Sequence, residues 1–311
     1  MNMAKPNFFI IGAAKAGTTS LHSYLSQHPE VFLPEIKEPN YFGIDRSINY
    51  RNTAHERVLF SKYNNDIEYY ALYKEAEGFK AIGEASVATL YFPKAIHEIK
   101  QKLPCSKIII LLRNPVERAY SNYMHHVRDG YENMSFEDAL NHEAEREKQN
   151  YTFGYQYRKV GLYANQLQNI YSEINPQNIK VILLEEFIGR TDHILQEICK
   201  FLDVDPKFKF STNYRLNKSG IIKPKSLRTW VLKNLISPDN CIKRLWHKIM
   251  PTVIKEKIHI FNKGFFINNN LKQIPMNPST RKELHDYYRE DVEKTAIIIQ
   301  RDLSHWLSDT K

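Results

Sequence analysis

Residues 8–42 read FFIIGAAKAGTTSLHSYLSQHPEVFLPEIKEPNYF, and the order of features in this stretch decides the fold. Phe8 to Ile11 form a short apolar run that stops at Gly12, and Leu21, Tyr24 and Leu25 set a helical spacing that begins after Gly17. The segment is therefore expected to be a buried strand, a small-residue loop and a helix. Gly12, Ala13, Ala14, Ala16 and Gly17 keep bulk away from the backbone, so its N–H groups can face an anion, and the helix N-terminus adds unpaired donors and the positive end of its dipole. Lys15 supplies a point charge, and Thr18, Thr19 and Ser20 supply hydroxyls. This is a cradle for a phosphate-like group. It departs from the Gly-Lys-Ser/Thr ending of a triphosphate loop, because here the lysine precedes the second glycine and Gly17 is followed by Thr18.

A second stretch, KIIILLRNPVERAYSNYMHH at 107–126, places another cation on the same edge. The continuous apolar run Ile108 to Leu112 predicts a central parallel strand covered on both faces. Arg113 ends it, Asn114 is a good helix cap and Pro115 suits the first helical turn. Ligands of open α/β sheets sit beyond the carboxyl ends of the strands, where both Arg113 and the cradle are expected. Taken alone, Arg113 has two readings: an ion pair with an acid such as Glu117, Ser121 merely packing, or a bidentate hold on a phosphate.

Taken together, GAAKAGTTSL, KEPNYF at 37–42, and the spacing of Arg113 and Ser121 resemble the sulfotransferases that use 3′-phosphoadenosine 5′-phosphosulfate (PAPS). The first is similar to their 5′-phosphosulfate loop, the second to the segment carrying the acceptor-activating glutamate of the heparan-sulfate type, and the third to their 3′-phosphate motif. The resemblance covers residues 7–220 and 276–307, where the closing RDLSHWL also matches the family's usual end. It implies an α/β fold: a single P-loop-like domain over 1–311, with a central parallel β-sheet flanked by helices and a basic helical insertion or lid at 223–272.

The resemblance also implies roles. Glu38 is the general base and Lys15 neutralises charge on the leaving bisphosphate. Backbone donors from Ala16 to Ser20, Gly17 included, hold the 5′-phosphate with the hydroxyls of Thr18, Thr19 and Ser20, and Arg113 and Ser121 hold the 3′-phosphate. A closing loop over the cofactor is expected at Asn217, Lys218, Ser219 and Gly220. The reaction implied is in-line sulfuryl transfer from PAPS to a hydroxyl or amine, with no metal expected. The acceptor expected from the heparan-type base and the basic segment is a carbohydrate or glycolipid. The pattern GEAS at 83–86 resembles a second acidic position, where Glu84 holds an active-site lysine, acts as an alternative base, or is a structural acid at a strand end.

Composition bounds the alternatives. The 311 residues are 42% hydrophobic, 25% charged and 12% aromatic, which argues against disorder and can fill a sizeable core. Cys105, Cys199 and Cys241 show no metal-ligand spacing and suggest neither a zinc site nor a disulfide framework. MNMAKPN runs directly into the first strand, with no apolar leader or membrane span, so a cytoplasmic protein is expected. The formal charge of +9 resides in 223–272, where eleven Lys and Arg face only Asp239 and Glu256. Two short amphipathic helices broken by Ser237-Pro238-Asp239 fit three roles: contact with an anionic membrane, attraction of an anionic acceptor, or a packed lid whose lysines reach water. No nucleic-acid partner is expected.

Two other readings of function remain. A P-loop small-molecule kinase would need the lysine and hydroxyl shifted and would turn over magnesium-ATP. A non-catalytic nucleotide- or membrane-binding protein would be indifferent to Glu38→Gln. Elsewhere, helices are predicted at 66–77, 93–102, through Tyr163–Ile174, over 188–204 and after a Ser279 cap, with a strand over 180–187. Ser135 and Asp138 suggest a capping box, and His125 and His126 read as surface or packing residues.

Overall fold

A computed structural model describes residues 4–48, 50, 63–212, 221–222, 271–272 and 274–308. The apolar runs become strands β1 (Phe8–Ile10), β2 (Val31–Phe32), β3 (Ala81–Ala85), β4 (Lys107–Leu112) and β5 (Ile179–Leu183). They form one five-stranded sheet in the order β2-β3-β1-β4-β5, and every pairing is parallel. The chain order reverses at β1, so the crevice beyond its carboxyl end, between β3 and β4, is the place where such sheets hold ligands.

Register explains one glycine. Gly83 pairs with Phe8 across β1 and β3, and a Cβ at that position would overlap the Phe8 ring, itself wholly buried. Gly83→Ala is expected to lower stability by about 1–3 kcal/mol through overpacking, read as a lower urea midpoint at unchanged slope. An unchanged midpoint would contradict this register.

The longer helices follow from period and caps. They are α1 (Thr18–Leu25), α2 (Pro93–Lys102), α3 (Pro115–Asp129), α4 (Tyr163–Glu173), α5 (Thr191–Phe201) and α6 (Pro278–Ile299). Ala95, Ile96 and Ile99 of α2 face the core as their spacing predicts. The Asn114 side chain accepts from the N–H of Val116 at 3.0 Å and of Glu117 at 3.4 Å, so α3 starts directly after β4. Gly130, in the left-handed region, stops it. Likewise Ser135 accepts from Asp138 N–H at 3.1 Å, as its capping pattern predicts.

Three boundaries differ from the sequence reading. β5 ends at Leu183, and Leu184–Gly189 turns into a short helix with Glu185 and Glu186 in its first turn, where acids suit the dipole; Glu186 then meets Arg301. The cap of α6 is Asn277, which accepts from Ser279 N–H at 3.1 Å. The helix expected at 66–77 is a short turn, Asp66–Tyr70, continued as a 3₁₀ turn to Tyr73.

Long-range caps lock the helices to the site edge. Asp291 of α6 accepts from the N–H groups of Tyr163 and Ala164 at 2.7 and 3.1 Å, capping α4 from a distant element. The closing segment folds back so that Asn114 Nδ2 donates to the Trp306 carbonyl at 2.9 Å, and the Trp306 ring is buried. The family-like C-terminus thus braces the residue next to Arg113. Among the described residues, Cys105 and Cys199 are free thiols, and no helix is long and apolar enough to cross a membrane.

The segment 223–272 lies outside the described residues except for Leu271 and Lys272. Its flanks are brought together, because Ile221–Ile222 and Leu271–Lys272 pair as antiparallel strands β6 and β7. The β6 strand lies beside α3.

Candidate functional site

The cradle is built where β1 runs out. Ile11 N–H donates to the Ile109 carbonyl at 3.0 Å, Ala13 N–H to Leu111 O, and Leu111 N–H to Gly12 O at 2.7 Å, so the loop stays tied to β4 up to Ala13. It then breaks away through Lys15 (φ 70°) and Gly17 (φ 94°) into α1. No side chain caps α1 and its first turn holds no acid, which leaves the first-turn N–H groups of Thr18, Thr19 and Ser20 without a side-chain partner, the arrangement that suits an anion. Ala16 differs from expectation: its N–H is engaged within the loop on the Ala13 carbonyl at 3.1 Å. Gly17 has a second constraint besides its φ, since a Cβ there would press on Leu184 Cδ1 at 2.9 Å.

Lys15 and Arg113 meet at this point. Arg113 Nη1 donates to the Lys15 carbonyl at 3.1 Å, and Tyr163 Oη donates to the Arg113 carbonyl at 2.9 Å, fixing the end of β4. Glu117, the acid that could have claimed Arg113, turns instead to Arg281. Among the described residues neither Lys15 nor Arg113 has an ion-pairing carboxylate. Ser121 is buried on α3, two turns along from Arg113.

The charge balance of the crevice is positive. Burial pulls the Lys15 ammonium from its ordinary 10.5 down to about 7, helped by the charges of Arg128 and Arg113, with Lys37 adding to them and Asp129 opposing. Burial likewise lowers Arg113, with the charges of Glu117 and Glu185 opposing. Arg128 and Asp129 carry no motif and were missed in the sequence. Arg128, in the last turn of α3, donates to Asp129 from Nε at 2.7 Å and from Nη2 at 3.2 Å, while His125 Nε2 stands 3.6 Å from the same carboxylate. His126 is buried, with its Nδ1 3.1 Å from the Tyr157 hydroxyl, and burial pushes it down to about 4.

These shifts give Lys15 a sign. Its pKa is about 7 in the fold against 10.5 unfolded, so folding releases a proton in that window and the stability due to this group rises with pH through it. Below about 7 the buried charge is held at its full cost. Lys15→Met is expected to be more stable than wild type by a margin largest below neutrality and shrinking as pH rises. It is also expected to bind anionic nucleotide about 1–3 kcal/mol more weakly. Thermal denaturation and nucleotide titration across neutral to alkaline pH measure both.

The KEPNYF turn lies on the other side of β1. Glu38 N–H donates to the carbonyl of Ala85, the last residue of β3, at 2.8 Å, and Ala85 is in register with Ile10 of β1. Glu38, Lys15 and Arg113 therefore stand in line above β3, β1 and β4. Glu38 (φ 62°) and Asn40 (φ 50°) are both left-handed, a conformation that non-glycine residues hold only when the surroundings impose it. The Glu38 carboxylate is part-exposed and meets Lys37 Nζ at 2.5 Å. His22 of α1, also unmarked in the sequence, holds the chain just before this turn: its Nε2–H donates to the Pro34 carbonyl at 3.2 Å, and burial, with Lys37 nearby, pushes the imidazole down to about 4 and keeps it neutral.

Of the three roles open to Glu84 in the sequence, its surroundings among the described residues fit the structural acid at a strand end. It is wholly buried at the end of β3, with the Tyr69 hydroxyl on Oε2 and no lysine as partner among the described residues. Lys218, Ser219 and Gly220 lie outside the described residues, one step before β6.

Comparison with known proteins follows the same lines. The family model described as "Sulfotransferase family" matches residues 6–208. Human carbohydrate sulfotransferase 15 is 26% identical over 254 residues, covering 65% of this chain and 44% of that protein. Human bifunctional heparan sulfate N-deacetylase/N-sulfotransferase 2 is 22% identical, covering 94% of this chain and 32% of its own length. The chain thus spans less than half the length of these curated relatives. The crystal structure of a sulfotransferase from Alicyclobacillus acidocaldarius superposes with a TM-score of 0.76 at 32% identity, covering 98% of this chain and 100% of that one.

Proposed function

The chain belongs to the sulfotransferase family, and from this premise we propose that it moves a sulfuryl group from PAPS to a hydroxyl or amine of a carbohydrate or glycolipid. The observation that carries the reading is the pair Lys15 and Arg113, two cations without carboxylate partners among the described residues, set beside an uncapped helix start at the switch point of the sheet. A nucleotide with phosphates at both its 3′ and 5′ ends supplies the missing negative charge at two places.

The residues divide the work along the sheet edge. The first-turn N–H groups and hydroxyls of Thr18, Thr19 and Ser20 hold the 5′-phosphate, and Gly17 admits it. Arg113 and Ser121 hold the 3′-phosphate, with Lys218, Ser219 and Gly220 closing over it. Lys15 stabilises charge that develops on the leaving oxygen, the electrostatic assistance such a transfer needs. Glu38 takes the acceptor proton, and positioning of the two substrates supplies much of the rest.

The acceptor class rests on two supports, the names of the carbohydrate and heparan-sulfate relatives and the basicity of 223–272. The test is incubation with PAPS labelled in its sulfuryl group and a panel of polysaccharides and glycolipids. Label transferred to an acceptor, with equimolar 3′,5′-adenosine bisphosphate formed, is the expected result. Retention of label on the donor with every acceptor would overturn the acceptor assignment.

A further inference from the structure

A carboxyl that the chemistry above leaves unused lies directly beneath the turn that carries Glu38. Glu84 is closed off from solvent, and its Oε2 accepts from the Tyr69 hydroxyl, which in turn accepts from the Tyr73 hydroxyl at 3.3 Å. Its Oε1 has no hydrogen-bond partner among the described residues. Two residues along, Ser86 Oγ accepts from the backbone N–H of Asn40 at 3.3 Å. Asn40 is 4% exposed and has its own Oδ1 unpartnered among the described residues. The 37–42 turn is thus pinned at adjacent points of one strand end, Glu38 to Ala85 and Asn40 to Ser86, directly after this buried carboxyl, and the buried oxygens Glu84 Oε1 and Asn40 Oδ1 each lack a hydrogen-bond partner among the described residues.

Unpaired buried oxygens are costly to keep. A buried unpaired acceptor costs about 1–3 kcal/mol, and a carboxylate offers acceptors alone, whereas a carboxylic acid carries a donor. The groups facing Glu84 are Tyr69, Tyr70 and Tyr73 from the helical turn, Ser86 on its own strand end and Glu38 from the loop, none of them a cation. Burial pushes its pKa up to about 7, the Ser86 and Tyr69 hydroxyls opposing and the Glu38 charge adding to the rise.

We propose that Glu84 is a positioning residue for Glu38: as a neutral carboxylic acid it is held at low cost beside the strand end that pins the 37–42 turn, and its ionisation loosens that turn. The proposal rests on the reading of Glu38 as base, but its physical content is separable from that reading. Glu84 acts through the turn and touches no substrate.

The experiment compares wild type with Glu84→Gln, a neutral isostere whose amide donates, and with Glu84→Ala. Glu84 in the fold keeps its proton up to about pH 7, whereas in the unfolded chain it loses it near 4.5, so the wild type loses stability through that window. The melting temperature of Glu84→Gln relative to wild type is expected to rise across the same window and then level off. Amide exchange at Glu38 and Asn40, corrected for intrinsic rate, is expected to quicken above neutrality in wild type and to stay slow in Glu84→Gln. In turnover, wild-type kcat falls on the same alkaline limb, Glu84→Gln lacks that limb with donor KM unchanged, and Glu84→Ala is slow throughout. A melting difference flat with pH, or exchange at Glu38 and Asn40 that responds to pH equally in wild type and Glu84→Gln, would overturn the proposal. Absence of sulfuryl transfer with the exchange result intact would instead remove the assignment of Glu38.

Discussion

Arg113→Ala is expected to weaken binding of 3′,5′-adenosine bisphosphate by about 10²–10³-fold while leaving 5′-AMP nearly unaffected. The guanidinium stands at the end of β4 with its carbonyl held by Tyr163, its Nη1 on the Lys15 carbonyl, and its nearest candidate acid, Glu117, drawn off to Arg281. Its remaining donors have no carboxylate among the described residues, so the 3′-phosphate is the partner the proposal assigns to them. Two charge-assisted hydrogen bonds lost together correspond to about 3–4 kcal/mol, and each 1.4 kcal/mol is about tenfold in affinity. Arg113→Lys keeps the charge and loses the fork, so an intermediate loss is expected. Calorimetric titration of the three proteins with both nucleotides measures the effect, and equal losses for 5′-AMP and the bisphosphate would place Arg113 elsewhere on the nucleotide.

The second large effect is expected at Glu38. Glu38→Gln preserves the shape of the 37–42 turn and its bond to Ala85 but removes the carboxylate oxygen to which the proposal assigns the acceptor proton. General-base catalysis contributes about 10²–10⁴-fold, so kcat for sulfuryl transfer is expected to fall by that factor. Bisphosphate affinity is expected to hold, since Glu38 lies across β1 from Arg113, to which the proposal assigns the 3′-phosphate. The pairing of Glu38 with Lys37 at 2.5 Å sets the contrast. The neutral amide of the Glu38→Gln variant no longer holds that ammonium, so a change in acceptor KM at constant donor KM is compatible with the role, whereas unchanged kcat is not. Steady-state rates with saturating donor decide it.

What the sequence made legible was local. The cradle, the strand ending at Arg113 and the turn at Glu38 each lie within a short window whose residue types have few structural uses. The central strand KIIILL could be placed for the same reason, since an uninterrupted β-branched run suits a strand covered on both faces. Features that depend on the partner across the sheet were not legible. Gly83 is explained by the Phe8 ring on a neighbouring strand, and the cap of α4 comes from Asp291, far along the chain. His22 and the Arg128–Asp129 pair carry no spacing that marks them, and only folding brings them beside the site.

Two differences teach something about the site itself. Ala16 lies in the motif, yet its N–H closes the loop on Ala13 and shapes the cradle, which leaves the uncapped helix start to offer donors. Glu84 has the residue type and position of a catalytic acid, but the helical turn carrying Tyr69 and Tyr73 seals it from the crevice. A side chain's chemistry is readable in the sequence, whereas its access to solvent is set by tertiary packing.

The measurement that bears most directly on the whole account is calorimetric binding of 3′,5′-adenosine bisphosphate to the wild-type protein, beside 5′-AMP and ATP with magnesium. Binding of the bisphosphate about a hundredfold or more tighter than 5′-AMP, consistent with one bidentate guanidinium–phosphate pair, is what the account predicts. Preference for magnesium-ATP, or equal affinity with and without the 3′-phosphate, would contradict it and direct the search to phosphoryl transfer.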